Sequence, residues 1–209
     1  MRHRRHWAWE ALGIGAVALN VENKMMELVF TKAKDADLQG ILSLQQANLK
    51  QHLSPEEVAS QGFVTVVHDM DLIKRLNDQE NHIIARDGDK VVGYTLAMTR
   101  EAKKDIPVLV SLFDQLETIP LGNEMLADYQ YIVVGQVCVD KDYRGQQVLD
   151  RCYAAYRDAY EKKYALAVTD IVSTNLRSRK AHQRIGFREL KLFTDEAGTE
   201  WVIVVWDWR

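Results

Sequence analysis

Between Tyr131 and Leu149 the chain reads YIVVGQVCVDKDYRGQQVL. An apolar run, Tyr131 to Val139, gives way to the polar segment Asp140 to Tyr143. Arg144-Gly145-Gln146-Gln147 then opens a long amphipathic stretch. The pattern is a buried strand, a short loop and a helix. The first amides of a helix have no partner within it, and the helix dipole places partial positive charge at that end. Arg144 adds a full positive charge there, so the segment suits an anion, and a diphosphate is the natural occupant. The plain alternative is a strand-to-helix turn with no ligand. A second polar stretch, Ser173 to Phe187, reads STNLRSRKAHQRIGF. Asn175 is placed to cap a helix that runs to Ile185 and stops at Gly186.

The elements that position these residues follow from periodicity. Glu27–Lys32 is β-prone, and Ala36–Asn48 has helical spacing behind a candidate cap at Asp35. Ser54-Pro55-Glu56-Glu57 reads as a helix start, with proline in the first turn and acids near the positive end of the dipole; Gly62 breaks it. Asp69–Leu76 is a second short helix. His82–Arg86 and Val91–Met98 read as strands joined by a turn at Asp87-Gly88-Asp89. After the strand Tyr131–Val139 comes a helix over Gln147–Tyr164. Val148, Leu149, Cys152, Tyr153, Tyr156 and Tyr160 form its apolar stripe. Ala165–Val172 is a strand, Asn175–Ile185 a helix, and Phe187–Phe193 and Trp201–Trp208 are final strands. A β-α-β unit implies a crossover between parallel strands, and hairpins flank it. The expected fold class is α/β in the α+β sense, with a mixed, mainly antiparallel sheet of about seven strands and helices on both faces.

Together the two motif segments resemble the GNAT acetyltransferase superfamily. The first is similar to its R/Q-x-x-G-x-G/A pyrophosphate loop between a strand and a helix. The second is similar to its pattern of Asn, a helix, then Gly-Phe, here Asn175, Gly186 and Phe187. The order of elements from residue 26 onward also follows that fold. The resemblance implies an N-acetyltransferase using acetyl-CoA, with its diphosphate on Arg144, Gly145, Gln146, Gln147, Val148 and Leu149. It implies that the pantetheine arm pairs with the backbone of Val137, Cys138 and Val139, and that Asn175 holds the arm from the other side or serves only as a helix cap. His182 stands four residues before the Gly186-Phe187 pair, where the family often has a tyrosine that protonates the leaving thiolate. An imidazole is chemically suited to that task near neutral pH. The chain departs from the pattern at Gln147 and Leu149, where the family has small residues that let backbone amides come close to the diphosphate. That departure leaves a second reading: a GNAT-shaped module that holds acyl-CoA and acts through partners.

Composition bounds the remaining possibilities. The chain has 209 residues, 47% hydrophobic and 27% charged, with a formal charge of −3. These are ordinary globular proportions, and a nucleic-acid partner, which usually requires a basic excess, is not expected. Two cysteines, Cys138 and Cys152, are too few for a disulfide scaffold; a cytoplasmic setting follows, with no metal site. Residues 1–25 differ from the rest. A basic start, Arg2 to His6, precedes an apolar run from Trp7 to Val21, too short to span a bilayer comfortably. A signal peptide, an extension upstream of a natural start at Met25 or Met26, and a docking helix are three readings of it. Residues 26–209 are taken as the acetyltransferase domain, a monomer or homodimer without a membrane partner. About thirty residues, 100–130, separate two strands that a hairpin would join in a few. From Asp105 to Asp128 this insert carries Asp105, Asp114, Glu117, Glu124 and Asp128 with no Lys or Arg. It reads as part of a pocket for a cationic small-molecule or peptide amine, or as a solvated surface.

Overall fold

The computed structural model describes residues 28–52, 54, 56, 64 and 66–209. The first 25 residues and the helix expected to start at Ser54 lie outside the described residues. The described strands are β1 (Val29–Lys32), β2 (Ile83–Asp87), β3 (Lys90–Met98), β4 (Pro120–Leu121), β5 (Glu124–Met125), β6 (Tyr131–Val139), β7 (Leu166–Val172), β8 (Arg188–Thr194) and β9 (Glu200–Asp207). The described helices are α1 (Leu38–Ala47), α2 (Met70–Gln79), α3 (Val110–Leu116), α4 (Val148–Tyr160) and α5 (Leu176–Ile185). Elements match the expected order, with ends that differ by a few residues. The largest difference is α4, which stops at Tyr160.

Seven strands form one sheet in the order β1-β2-β3-β6-β7-β9-β8. All neighbours are antiparallel except β6 and β7. That pair is joined by the α4 crossover, as parallel strands require. The last strand, β9, does not add to the edge; it inserts between β7 and β8 and leaves β8 outermost.

The sheet opens at its centre. Parallel pairing of β6 with β7 covers only Tyr131↔Leu166, Ile132↔Ala167 and Val133↔Val168. Beyond it, β6 follows β3 alone. Its register against β3 jumps between Ala97↔Val134 and Thr95↔Val137, so β6 carries one extra residue there. Such a bulge bends its strand and increases the local twist. It also reverses the side-chain alternation. Tyr131 and Val133 join one core, and so does Cys138, although its number has the opposite parity. Val137 and Val139 pack on the other face.

Two layers cover the sheet. Helices α1, α2 and α3 supply Leu38, Ile41, Ile73, Leu76, Leu112 and Phe113 to the larger core. Helix α4 covers the opposite face through Tyr153, Tyr156 and Tyr160, which meet Phe187, Val202 and Val204. In the insert 100–130 the helical periodicity of Ile106–Leu116 is met by α3, and further short elements accompany it. Two 3-10 turns, Arg100–Lys104 and Pro107–Leu109, lead into α3, and β4 pairs with β5 around Gly122 at φ 74°. Two-residue strands are too short to show a sequence alternation, so this hairpin was not legible.

Candidate active site

The gap between β6 and β7 is where the two motif segments meet. A cleft of about 750 Å³ is lined by Val137, Cys138 and Val139 of β6, by Arg144, Gly145, Gln147, Val148 and Leu149, and by Asn175 and one side of α5. Its volume lies within the range of ligand pockets. All the residues read from sequence as cofactor contacts line it except Gln146, whose amide donates to the Asp142 carbonyl at 3.1 Å.

The loop geometry suits a diphosphate. Gly145 has φ 78° and Gln147 φ 58°, ψ 19°, both left-handed. Gln147 is the sole non-glycine residue with positive φ among the described residues. The family's glycine position therefore keeps a glycine-like backbone here although the side chain is glutamine. The helix's first bond runs from the Arg151 amide to the Gln147 carbonyl at 3.0 Å, so the preceding amides of α4 remain for an anion. Arg144 Nη2 donates to Asn48 Oδ1 at 2.6 Å and Nε to the Val139 carbonyl at 3.2 Å, which fixes the guanidinium at the cleft wall. Arg177, Lys180 and Arg184 also line the cleft, against one acid, Asp150. Asp150 sits in a bidentate pair with Arg184 at 2.8 and 2.9 Å. The lining is net positive.

The unpaired edge of β6 faces this cleft. From Val134 onward its backbone pairs with β3 but not with β7, so the other edge is open to a strand-like ligand. Cys138 is a buried thiol, raised to about 12 by burial, and an inert wall residue. Asn175 Oδ1 accepts from the Ser178 amide at 3.1 Å and caps α5. The cap uses its oxygen and not its amide nitrogen, so capping and ligand contact are compatible.

A second cavity of about 120 Å³ opens on the other side of the gap. It shares Val64, Val137, Asn175, Ser178 and His182 with the first. Its remaining lining includes Leu109 and Ser111 of the insert, Gln136, Asp170, Phe193, Asp195 and Trp201, with no Lys or Arg. The insert thus borders this cavity, but through Leu109 and Ser111. None of its five acids lines either cavity; Asp105 pairs with Arg75 at 3.5 Å and Asp114 with Lys103 at 2.5 Å.

His182 is buried where the cavities meet. Its Nδ1 lies 2.8 Å from the Ser178 carbonyl, which only accepts, so Nδ1 carries the proton. Nε2 then accepts from the Tyr153 hydroxyl at 2.7 Å. Burial lowers the ring to about 4, with the Ser178 carbonyl opposing that shift. The imidazole is neutral at pH 7. Gln136 belongs to a polar network: its Oε1 accepts from Tyr94 at 2.6 Å and from Gln45 at 2.8 Å, and its Nε2 donates to the Val66 carbonyl at 2.9 Å. Gln45 also contacts His68 Nδ1 at 2.7 Å. This network ties the segment around Val66 to the β6 bulge.

Asp170 escaped the sequence reading. It lies mid-strand in β7, in a run otherwise apolar apart from Thr169, and neither motif segment, Tyr131–Leu149 or Ser173–Phe187, includes it. A lone acid inside a buried strand, LAVTDIV, was the available signal. Among the described residues no group of three or more His, Cys, Asp or Glu is arranged to hold a metal, and no helix is long and apolar enough to cross a membrane.

A mixed sheet split between its two parallel strands, with a basic loop at the start of the crossover helix, is the architecture of an acetyltransferase fold. The sequence profile of the Acetyltransferase (GNAT) family matches residues 46–187, and the chain belongs to that family. Solved structures share the fold at low identity. A polyamine N-acetyltransferase of Drosophila melanogaster that forms N-acetylagmatine is 14% identical, with TM-score 0.60 over 87% of this chain and 100% of that one. The ribosomal-protein-alanine N-acetyltransferase of Brucella melitensis is 17% identical, with TM-score 0.55 over 85% and 98%. A chain of the NatC complex bound to Gag peptide and CoA is 12% identical, with TM-score 0.58 over 87% and 99%. No curated protein matches the sequence.

Proposed function

We propose that this chain transfers an acetyl group from acetyl-CoA to a primary amine by direct attack. The observation that carries this reading is the pair of cavities of opposite charge that meet at Val137, Asn175, Ser178 and His182. Acetyl-CoA lies in the basic cleft, its diphosphate on the amides and Arg144 of the 144–149 loop and its arm along β6. The acceptor amine enters from the acidic side. A β6 amide near the bulge receives the developing negative charge on the carbonyl oxygen. The acceptor is a small-molecule or peptide amine; structures of this fold include a polyamine acetyltransferase and a peptide-bound complex.

The role of His182 is narrower than an imidazolium donor. Its Nδ1 proton is held by Ser178 and its Nε2 by Tyr153, so it ties Ser178, where the cavities meet, to Tyr153 in the core beneath. Both cysteines are buried and free, which suits a reducing, cytoplasmic setting. The alternative of a silent acyl-CoA-binding module rests on Gln147 and Leu149, and the left-handed backbone at Gln147 answers the first of these two departures.

Two measurements test the reading. Acetyl-CoA at 100 times its dissociation constant stabilises a folded protein by about 2.7 kcal/mol, a shift that thermal melting detects. Thiol release in the presence of a panel of primary amines then reports turnover. A melting temperature indifferent to saturating acetyl-CoA overturns the proposal.

A further inference from the structure

The smaller cavity contains two carboxylates in different surroundings. Asp195 Oδ1 accepts from the Ala197 amide at 3.0 Å and the Thr199 amide at 2.8 Å, and Oδ2 accepts from Trp201 Nε1 at 2.8 Å. These donors, with Trp201 first, hold Asp195 below the usual carboxylate range. It is a fixed negative charge locked into the β8–β9 turn. Asp170 sits deeper, on β7, paired in register with Ile203 of β9. Among the described residues no side chain of another residue bonds its carboxylate. Burial pushes Asp170 up to about 7, its own amide opposes the shift, and the charge of Asp195 adds to it.

The titratable residues lining this cavity are Asp170, Asp195 and His182. The elements packed around it contribute Gln136 from β6, Ser178 and His182 from α5, Leu109 and Ser111 from the insert, and Phe193, Asp195 and Trp201 from the last hairpin. Among the described residues no Lys or Arg lines this cavity. His182 is excluded as a base because Nε2 already accepts from Tyr153. Asp195 is excluded because its oxygens accept three bonds within their own turn. Two carboxylates whose surroundings drive their proton affinities apart mark separate roles.

We propose that Asp170 is the general base of the transfer reaction, and that the cavity selects an acceptor arriving as a primary ammonium with an apolar stem. This rests on the acetyltransferase reading above. Asp195 attracts the cation, and Phe193, Trp201, Val66 and Leu109 supply the apolar walls. The Asp170 carboxylate takes one proton from the ammonium, leaving a neutral amine. Its nitrogen lone pair attacks the thioester carbonyl carbon; the N–C bond forms and the C–S bond breaks, with its electron pair going to sulfur. The second proton of the attacking nitrogen passes to the thiolate, giving the amide and free CoA thiol. Asp170 returns its proton to water, so the net products include one proton.

The test uses the full chain and its Asp170→Asn variant, with n-hexylamine as acceptor and n-hexanol as the neutral control of equal stem. Acetyl-CoA should raise the melting temperature of both proteins equally. At pH 7, kcat/KM for hexylamine should fall at least 100-fold in the variant, the lower end of general-base effects of ~10²–10⁴. The deficit should shrink as pH rises toward the amine's own pKa, ~10.4 by analogy with lysine, because free amine needs no base. Equal rates and pH profiles for both proteins overturn the assignment. If neither protein releases thiol while both bind acetyl-CoA, the transferase reading fails separately. The cavity is then judged by melting: hexylammonium should stabilise the wild type more than Asp195→Asn, and hexanol should treat them alike. An equal hexylammonium shift in both overturns the acceptor site. Should Asp170→Asn fail to fold, Asp170→Ser is read by the same criteria.

Discussion

Thr169 Oγ1 donates to the Val134 carbonyl at 2.7 Å, one residue beyond Val133↔Val168, the last backbone pair of β6 and β7. A side-chain bond replaces the ladder where the strands part. Past that point the bulge carries β6 away, and the cleft begins. Thr169 therefore marks the vertex of the opening, and Asp170, the next residue, projects to the opposite face of the sheet.

That relationship gives the first expectation. Thr169→Val keeps the shape of the side chain and removes the donor. It leaves the Val134 carbonyl short of a partner in a buried setting, at a cost of about 1–3 kcal/mol. Urea unfolding should show a loss in that range, and acetyl-CoA affinity should fall because the vertex is less firmly held. Unchanged stability would mean that the bond is replaced by water.

Gln147 occupies the left-handed region, which costs a non-glycine residue about 1–3 kcal/mol. Gln147→Gly relieves that strain but adds freedom to the unfolded chain, worth about 0.5–1 kcal/mol in the other direction. The net expectation is a small gain in stability, with acetyl-CoA binding retained or tightened. A drop in melting temperature would show that the glutamine side chain makes contacts that outweigh its backbone strain.

Arg144 is expected to anchor the diphosphate. Arg144→Glu reverses the charge at the loop and should weaken acetyl-CoA binding at least tenfold, in line with the ~1.5–3 kcal/mol of a hydrogen bond to a charged group. Circular dichroism should confirm that the fold survives losing the Asn48 and Val139 contacts. An unchanged dissociation constant in a folded variant would remove the diphosphate from this loop.

His182→Ala should lower kcat more than it changes acetyl-CoA affinity. It also strips the acceptor from the buried Tyr153 hydroxyl, so stability should fall as well. His182→Gln, which restores a polar partner, should recover part of both. Because the ring titrates at about 4, kcat should show no descending limb from His182 between pH 6 and 8. A wild-type rate in the Ala variant would remove His182 from turnover altogether.

Stability should vary with pH in two opposing ways. His68, His82 and His182 are each lowered to about 4, mainly by burial. A depressed histidine supports the fold above its unfolded value near 6.5, and that support is lost as pH falls toward 4. Asp170, raised to about 7, acts in reverse: its contribution is full below the unfolded value near 3.8 and is lost as pH rises through 7. Three histidines against one carboxylate give a net loss of stability from pH 6.5 down to 4. Denaturation at stepped pH should show it, and Asp170→Asn should steepen the loss because the opposing group is gone. A flat profile would mean that these histidines are not held neutral.

The sequence determined the strands of the seven-stranded sheet, the longer helices and their order, because apolar periodicity, Gly186 and the Asp87-Gly88-Asp89 turn act locally. It also directs Arg144, Gly145 and Asn175 to one cleft, since both motif segments follow consecutive strands of one β-α-β-α unit. The tertiary structure decided the rest. The bulge in β6 shows only against its partner β3, so the exchange of faces between Val133 and Cys138 is invisible to a period-two pattern. The neutral state of His182 depends on Tyr153, twenty-nine residues away in sequence. Asp170 becomes distinctive only because the sheet splits beside it and the β8–β9 turn brings Asp195 near. Proton affinity and cavity charge arise from what surrounds a residue in space, and a linear sequence does not specify those neighbours directly.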